Sequence, residues 1–259
     1  MGARELTGFP DLYAASGAHP MIRCEVPADR PVEALVLGEA VAFARPSHVR
    51  GLVVTLLGPA PDVARLLADP ALPRLVFGLR KVGMISVPAT NLADLEGRFG
   101  TRTGGDWEWM VTTDPPPTMP AEDRLVRFAE RDRADLDAFL ARHNPRTDGR
   151  PFARAGQVWL GARDDDGRIL ACGGAEPTDA GVGELVGITV HSDARGRGWG
   201  AAVTAALTRE AVDRDGICCL GMYADNARAR GVYHRLGYAT AVAFSSRVVT
   251  LPRSVASTR

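Results

Sequence analysis

Lysine is almost absent from this sequence. Lys81 stands alone, and arginine carries the rest of the positive charge. Lys+Arg and Asp+Glu are 31 each, so the formal net charge is zero. A general nucleic-acid or membrane-surface binder carries excess positive charge, and neither partner is expected. The four cysteines, Cys24, Cys172, Cys218 and Cys219, lack metal-ligand spacing. They read as buried free thiols, which fits a reducing compartment, and no metal is expected. No stretch approaches ~18 continuous apolar residues, so a membrane span is not expected. The opening Met-Gly-Ala-Arg-Glu-Leu has no apolar segment of signal-peptide length, and a cytoplasmic location is the expectation. What the sequence does have is 46% apolar and 24% charged residues over 259 positions. That is enough to pack one large core or two ordinary ones.

One stretch organises the rest. Gly183 to Val190 is rich in strand formers, and Trp199 to Arg214 is an Ala-rich helical pattern. Between them lie Arg195 and three glycines, Gly196, Gly198 and Gly200. Glycine lets backbone approach a ligand closely, free amides point outward, and the helix dipole favours negative charge. A phosphate or pyrophosphate is the natural guest; a tight turn without a ligand is the plain alternative. A dinucleotide fingerprint is not met, because the third glycine comes one position too early.

The first part of the chain reads less clearly. Residues 1–30 are irregular in pattern, with a short helix near Pro10–Ser16. Gly51 to Leu57 is a buried strand by length and branching, Asp62 to Ala68 a short helix, and Leu75 to Leu79 a strand. Asn91 to Phe99 reads as a helix with Asn91 as its cap, and Asp106 to Thr112 alternates as a strand. Then Asp114-Pro-Pro-Pro-Thr-Met-Pro120 places four prolines in seven residues. Such a segment cannot lie inside a helix or a central strand, and it marks a boundary between residues 1–115 and 121–259. Beyond it the order is β-α-β-β-β-α-β-α-β. The fold class expected is α+β, with a mixed, mostly antiparallel sheet and helices on both faces.

Two motifs now carry a resemblance. Arg195-Gly-Arg-Gly-Trp-Gly200 resembles the Arg/Gln-x-x-Gly-x-Gly/Ala pyrophosphate loop of the GCN5-related N-acetyltransferase (GNAT) superfamily. Asn226-Ala-Arg-Ala-Arg-Gly-Val-Tyr233-His-Arg-Leu-Gly237-Tyr238 resembles that family's Asn-x-x-Ala-x-x-x-Tyr-x-x-x-Gly-Phe/Tyr segment. The likeness spans about residues 122 to 249. Asp106-Trp-Glu-Trp before a proline-rich link is also similar to two-part bacterial members, whose first half is a degenerate copy of the fold. Residues 1–115 lack the glycine loop, so any acyl-CoA site belongs in the second half.

The resemblance implies acetyl transfer from acetyl-CoA, the co-substrate, to a primary amine. The amides across Arg195, Gly196, Arg197, Gly198, Trp199, Gly200 and Ala201 would hold the pyrophosphate of coenzyme A. Ile188, Thr189 and Val190 match the strand along which the pantetheine arm runs, and one of their amides would polarise the thioester oxygen. Asn226 matches a pantetheine contact and equally suits a helix cap. Tyr233 matches the acid that protonates the leaving thiolate, or else is a core tyrosine. Glu184 is the candidate base, matching a glutamate of the histone-acetylating branch; a water chain is the alternative, with Glu176 and His191 as lesser candidates. No cysteine lies in either motif, so transfer is expected directly within a ternary complex. The acceptor is a small-molecule or peptide amine, and a homodimer is an open assembly. The rival reading is a module that binds acyl-CoA without transferring it.

Overall fold

The structure, a computed structural model, describes residues 2–47, 51–78 and 82–252. It resolves into two compact units. Unit 1 comprises residues 1–108, 223–225 and 242–259; unit 2 comprises 109–222 and 226–241.

Unit 1 begins with β1 (Arg4–Leu6), α1 (Phe9–Ala15) and α2 (Pro20–Glu25). The strands β2 (Ala34–Leu37), β3 (Ala40–Ser47) and β4 (Gly51–Leu57) follow, then α3 (Ala60–Ala68), α4 (Ala71–Gly78), β5 (Val82–Pro88), α5 (Leu92–Arg98) and β6 (Phe99–Thr112). Neighbouring strands from β1 to β4 are antiparallel, and β4 pairs with β5 in parallel. Val54, Leu56, Ile85 and Val87 bury one face of this sheet against Val63, Leu66 and Leu67 of α3. The residues expected as a strand at 75–79 are helical as far as Gly78, and Leu79 lies outside the described residues. Pro73 is tolerated in the first turn of α4, where its missing N–H is not needed, and Leu72 and Val76 share a buried face at helical spacing. Asn91 does not cap α5 with its side chain. It is buried, and its amide donates to the Ala60 carbonyl at 2.9 Å and to Asp94 at 2.8 Å.

Unit 2 runs β7 (Val126–Arg127), α6 (Arg133–His143), β8 (Val158–Arg163), β9 (Ile169–Pro177), β10 (Gly183–Val190), α7 (Trp199–Asp215), β11 (Cys218–Tyr223) and α8 (Ala227–Arg235). The last strand, β12 (Ala239–Pro252), starts in unit 2 and from residue 242 belongs to unit 1. There it pairs antiparallel with β5 from Phe244↔Pro88 to Val248↔Met84. Unit 2 follows the succession strand, helix, three antiparallel strands, helix, parallel strand, helix; unit 1 has a similar order, with a second helix, α2 and α4, added at each of the first two helical positions. The sheets are mixed and mostly antiparallel, with helices packed on them, as the sequence implied.

Within unit 2, α7 covers one sheet face. Val203, Leu207 and Ala211 pack with Leu160, Leu185 and Leu220. The other face meets α6, where Leu136, Phe139 and Leu140 enclose Trp159 and Cys172. Trp159 is wholly buried, and a Cβ on Gly174 or Gly187 would lie within 3 Å of its ring. The indole therefore excludes side chains from two neighbouring strands.

Candidate functional site

The site is built on an opening between two parallel strands. β10 and β11 pair at Gly183↔Cys218, Glu184↔Cys219 and Leu185↔Leu220 and no further. Immediately beyond, β10 is irregular. Its register against β9 shifts between Val186 and Thr189, and Gly187 has φ +66. Only glycine adopts that conformation without strain, and Trp159 leaves no room for a side chain there in any case. Two hydrogen bonds fix the bulge. Thr189 Oγ1 donates to the Gly187 carbonyl at 2.9 Å, and Asn144 Nδ2, at the end of α6, donates to Thr189 Oγ1 at 3.1 Å.

The bulge decides where the backbone groups point. The His191 N–H donates to the Leu170 carbonyl on the β9 side at 2.8 Å. By strand alternation, the amides and carbonyls of Ile188 and Val190 face the opposite edge, where β11 has diverged.

The strand leads into the glycine loop through a 3-10 turn at Ser192–Ala194, capped by His191 Nδ1 accepting from the Asp193 N–H at 3.2 Å. The His191 ring also packs on His143 of α6, with centroids 4.4 Å apart. Burial, followed by the neighbouring His191 and Arg142 charges, lowers the pKa of His143. Gly196 and Gly198 have φ +77 and +82, and open space surrounds both, so conformation alone requires glycine. Gly198 is the N-cap of α7 and provides no side-chain cap. The first amides of a helix have no intrahelical acceptor, so this terminus presents free donors at its positive end. Arg195 and Arg197 are exposed beside it, whereas Trp199 is buried. Gly200 lies against Val190, joining loop to strand.

In unit 1, the start of α3 is built differently. Gly58 and Pro59 make a short turn into α3, and Asp62 of its first turn accepts from the Glu39 N–H at 2.8 Å. The Asp62 carboxylate is also paired with Arg65, at 2.9 Å.

Asn226 caps α8, its Oδ1 accepting from the Ala229 N–H at 3.1 Å. Tyr233, on the same helix, is 8% exposed, and burial pushes its phenol up to about 12. Tyr238 is also buried, but its hydroxyl is engaged by Thr208 at 2.8 Å and Cys218 Sγ at 3.1 Å. Glu184 stands at the paired end of β10. Four residues at ~3.3 Å each put it about 13 Å along the strand from Ile188. Burial raises the Cys172 thiol to about 12, which leaves no thiolate nucleophile there at neutral pH. Among the described residues no three His, Cys, Asp or Glu side chains group as metal ligands, and no helix is long and apolar enough to cross a membrane.

The glycine loop and the second motif were legible in sequence. The Thr189–Asn144 tie was not, since Asn144 lies outside both motifs. Gly187 inside a strand was the one available signal of a bulge.

A mixed sheet with a split parallel pair, opening onto an uncapped helix N-terminus, has the geometry that suits an extended ligand with an anionic group. Residues 119–238 match the model of the Acetyltransferase (GNAT) family, so this segment is a domain of that family, whose chemistry is acyl transfer. Solved structures show the same fold over nearly the whole chain. A GCN5-related N-acetyltransferase from Sphaerobacter thermophilus is 17% identical, covers 95% of this chain and 94% of its own, and has a TM-score of 0.57. One from Kribbella flavida is 18% identical over 94% and 96%, with a TM-score of 0.55. An acetyltransferase of the GNAT family from Novosphingobium aromaticivorans is 19% identical over 92% and 96%, with a TM-score of 0.52. No curated protein matches the sequence.

Proposed function

We propose that unit 2 is an acetyl-CoA-dependent N-acetyltransferase acting on a primary amine, by direct transfer in a ternary complex. The observation that carries this reading is the opening between β10 and β11, with the Ile188 and Val190 amides turned into it and the free α7 terminus at its end. Two half-buried strand-edge donors of this kind suit the amide carbonyls of a pantetheine arm, which would add to the strand edge. Acetyl-CoA, when bound, supplies the activated thioester.

The protein's own groups do the rest. The loop amides from Gly196 to Ala201, with Arg195 and Arg197 beside them, neutralise the pyrophosphate. The amide of Val190 or Ile188 donates toward the thioester oxygen. Tyr233, kept protonated by burial, donates its hydroxyl proton to the departing sulfur. Glu184 accepts the amine proton through water. The inert Cys172 thiol supports transfer without an acyl-enzyme. Unit 1 is read as a divergent copy of the same domain. Its element order supports this, and the absence of the Arg-x-x-Gly-x-Gly loop from residues 1–115 is the reason it would not bind the co-substrate.

The test is release of free thiol from acetyl-CoA across a panel of small amines and peptide N-termini. Thiol release with one acceptor, reduced in Tyr233→Phe, supports the enzyme. Tight binding with no release on any amine would favour a sensor instead.

A further inference from the structure

Two histidines join the end of α6 to the strand that feeds the glycine loop. His143 is the last residue of α6, and His191 directly follows β10. Their ring centroids lie 4.4 Å apart, and Phe139, one helical turn back, packs on His143. Beside them Asn144 holds Thr189, so the end of α6 grips this strand at two neighbouring points. The stack leaves the His191 side chain 12% exposed. Its backbone is held as well, since the N–H donates to the Leu170 carbonyl of β9. A ring covered on its face forms hydrogen bonds through its in-plane nitrogens alone.

Nδ1 of His191 has two partners on one residue. In the neutral ring it accepts from the Asp193 N–H at 3.2 Å, which caps the turn at Ser192–Ala194. The Asp193 carboxylate lies 3.7 Å from the same nitrogen. A proton on Nδ1 removes the acceptor and makes a donor, so the backbone bond is lost and the carboxylate becomes the partner. Arg195, the first residue of the glycine loop, comes directly after this turn. The other charged groups facing the two rings are Arg142 of α6 and Arg195 itself. Two imidazolium rings at this spacing repel each other and both arginines, so the pair takes one proton rather than two. Burial, ahead of these charges, lowers the pKa of His143, whereas a charge on His191 meets the Asp193 carboxylate.

We propose that His191 is a positioning residue for the glycine loop, which it shapes only while its ring is neutral. The proposal rests on the coenzyme A reading of that loop. Co-substrate binding then weakens in mild acid, because the protonated ring releases the cap that sets the entry to the loop amides. A bound pyrophosphate selects the neutral ring, and by reciprocity its binding expels a proton from the wild type.

The test is calorimetric binding of coenzyme A to the full-length wild type and to His191→Asn at about pH 8 and about pH 5, the limits of imidazole titration. The asparagine amide oxygen accepts the same N–H and does not titrate. Between the two pH values the wild type should lose about tenfold more affinity than His191→Asn, the size of one released capping bond. Protonation of the phosphates of coenzyme A acts on both proteins alike and cancels in the comparison. A wild-type loss no greater than that of His191→Asn overturns the proposal, as does wild-type affinity that rises in acid. Nitrogen spectra of the imidazoles give a second reading that needs no variant. In the free wild type at the higher pH, His191 should carry its proton on Nε2, and the Asp193 amide shift should follow the ring as it titrates. A proton on Nδ1 at that pH, or an Asp193 amide indifferent to the ring, also overturns the proposal. Failure of the coenzyme A reading looks different: the wild type would bind none at either pH, and the proposal would fall with that reading even where the Asp193 amide still tracked the ring.

Discussion

Glu184 and Glu176 face each other across the antiparallel pairing of β9 and β10. Directly opposed side chains share one sheet face, so two carboxylates meet at a single register position. Glu176 is the more buried and is engaged by the Gln157 side-chain amide. Glu184 is half-buried on the strand that leads to the opening. Glu184→Gln should lower kcat by about 10²-fold, whereas Glu176→Gln should lower it less than tenfold. Steady-state rates of both variants decide the assignment; the reverse order would move the base to Glu176, and no effect from either would leave a water chain.

Tyr233→Phe removes the proton donor and keeps the ring. We expect kcat to fall by roughly 10- to 100-fold with little change in acetyl-CoA affinity. The phenol also links to stability. Its folded pKa is raised, so its contribution is complete below pH 10 and is lost as pH climbs from about 10 to about 12. Chemical denaturation across that window should show a steeper loss for the wild type than for Tyr233→Phe.

Gly198→Ala tests the loop without crowding it, because a methyl group there meets open space. The left-handed backbone alone resists the change, at about 1 kcal/mol. A small fall in Tm with about tenfold weaker acetyl-CoA binding is expected. An unchanged affinity would separate the loop from the co-substrate.

Thr189→Val deletes the hydroxyl that ties the Gly187 carbonyl to Asn144. Releasing the bulge should misdirect the neighbouring amides and reduce kcat about tenfold, with Thr189→Ser restoring most of it. A merely structural role would lower Tm equally in both variants and leave kcat unchanged.

The proline-rich stretch at 114–120 invites cutting. A fragment of residues 1–115 would lack β12 and so leave β5 with an open edge, uncovering Phe244's place beside Trp107, where the rings stack at 4.8 Å. It is expected to aggregate or remain without fixed side-chain packing, as near-UV circular dichroism would report.

Local signals were strong in the second part of the chain. The span of β10 was legible from its branched residues, and α7 from the glycine at each end. Asn226 read correctly as a helix cap because capping is decided within a few residues. The segment at 75–79 misled, since Leu-Val-Phe suits a strand until Leu72 and Val76 are seen on one buried helix face. Among residues 1–30 the pattern hid α2, a six-residue helix started by His19 and Pro20. The opening between β10 and β11 was not legible at all. It depends on where two strands part, and that is set by Trp159 against Gly187 and by the tie from Asn144, contacts distant in sequence.

The return of β12 to β5 also fixes an order of events. Ser86 and Ser246 share a 2.7 Å hydrogen bond across 160 residues, and Trp107 Nε1 donates to Ser246 Oγ at 2.8 Å. These contacts cannot form until the far end of the sequence has been synthesised. The part made first by the ribosome is therefore completed last, and a nascent chain arrested before residue 242 would display a bare strand edge to whatever chaperones attend it.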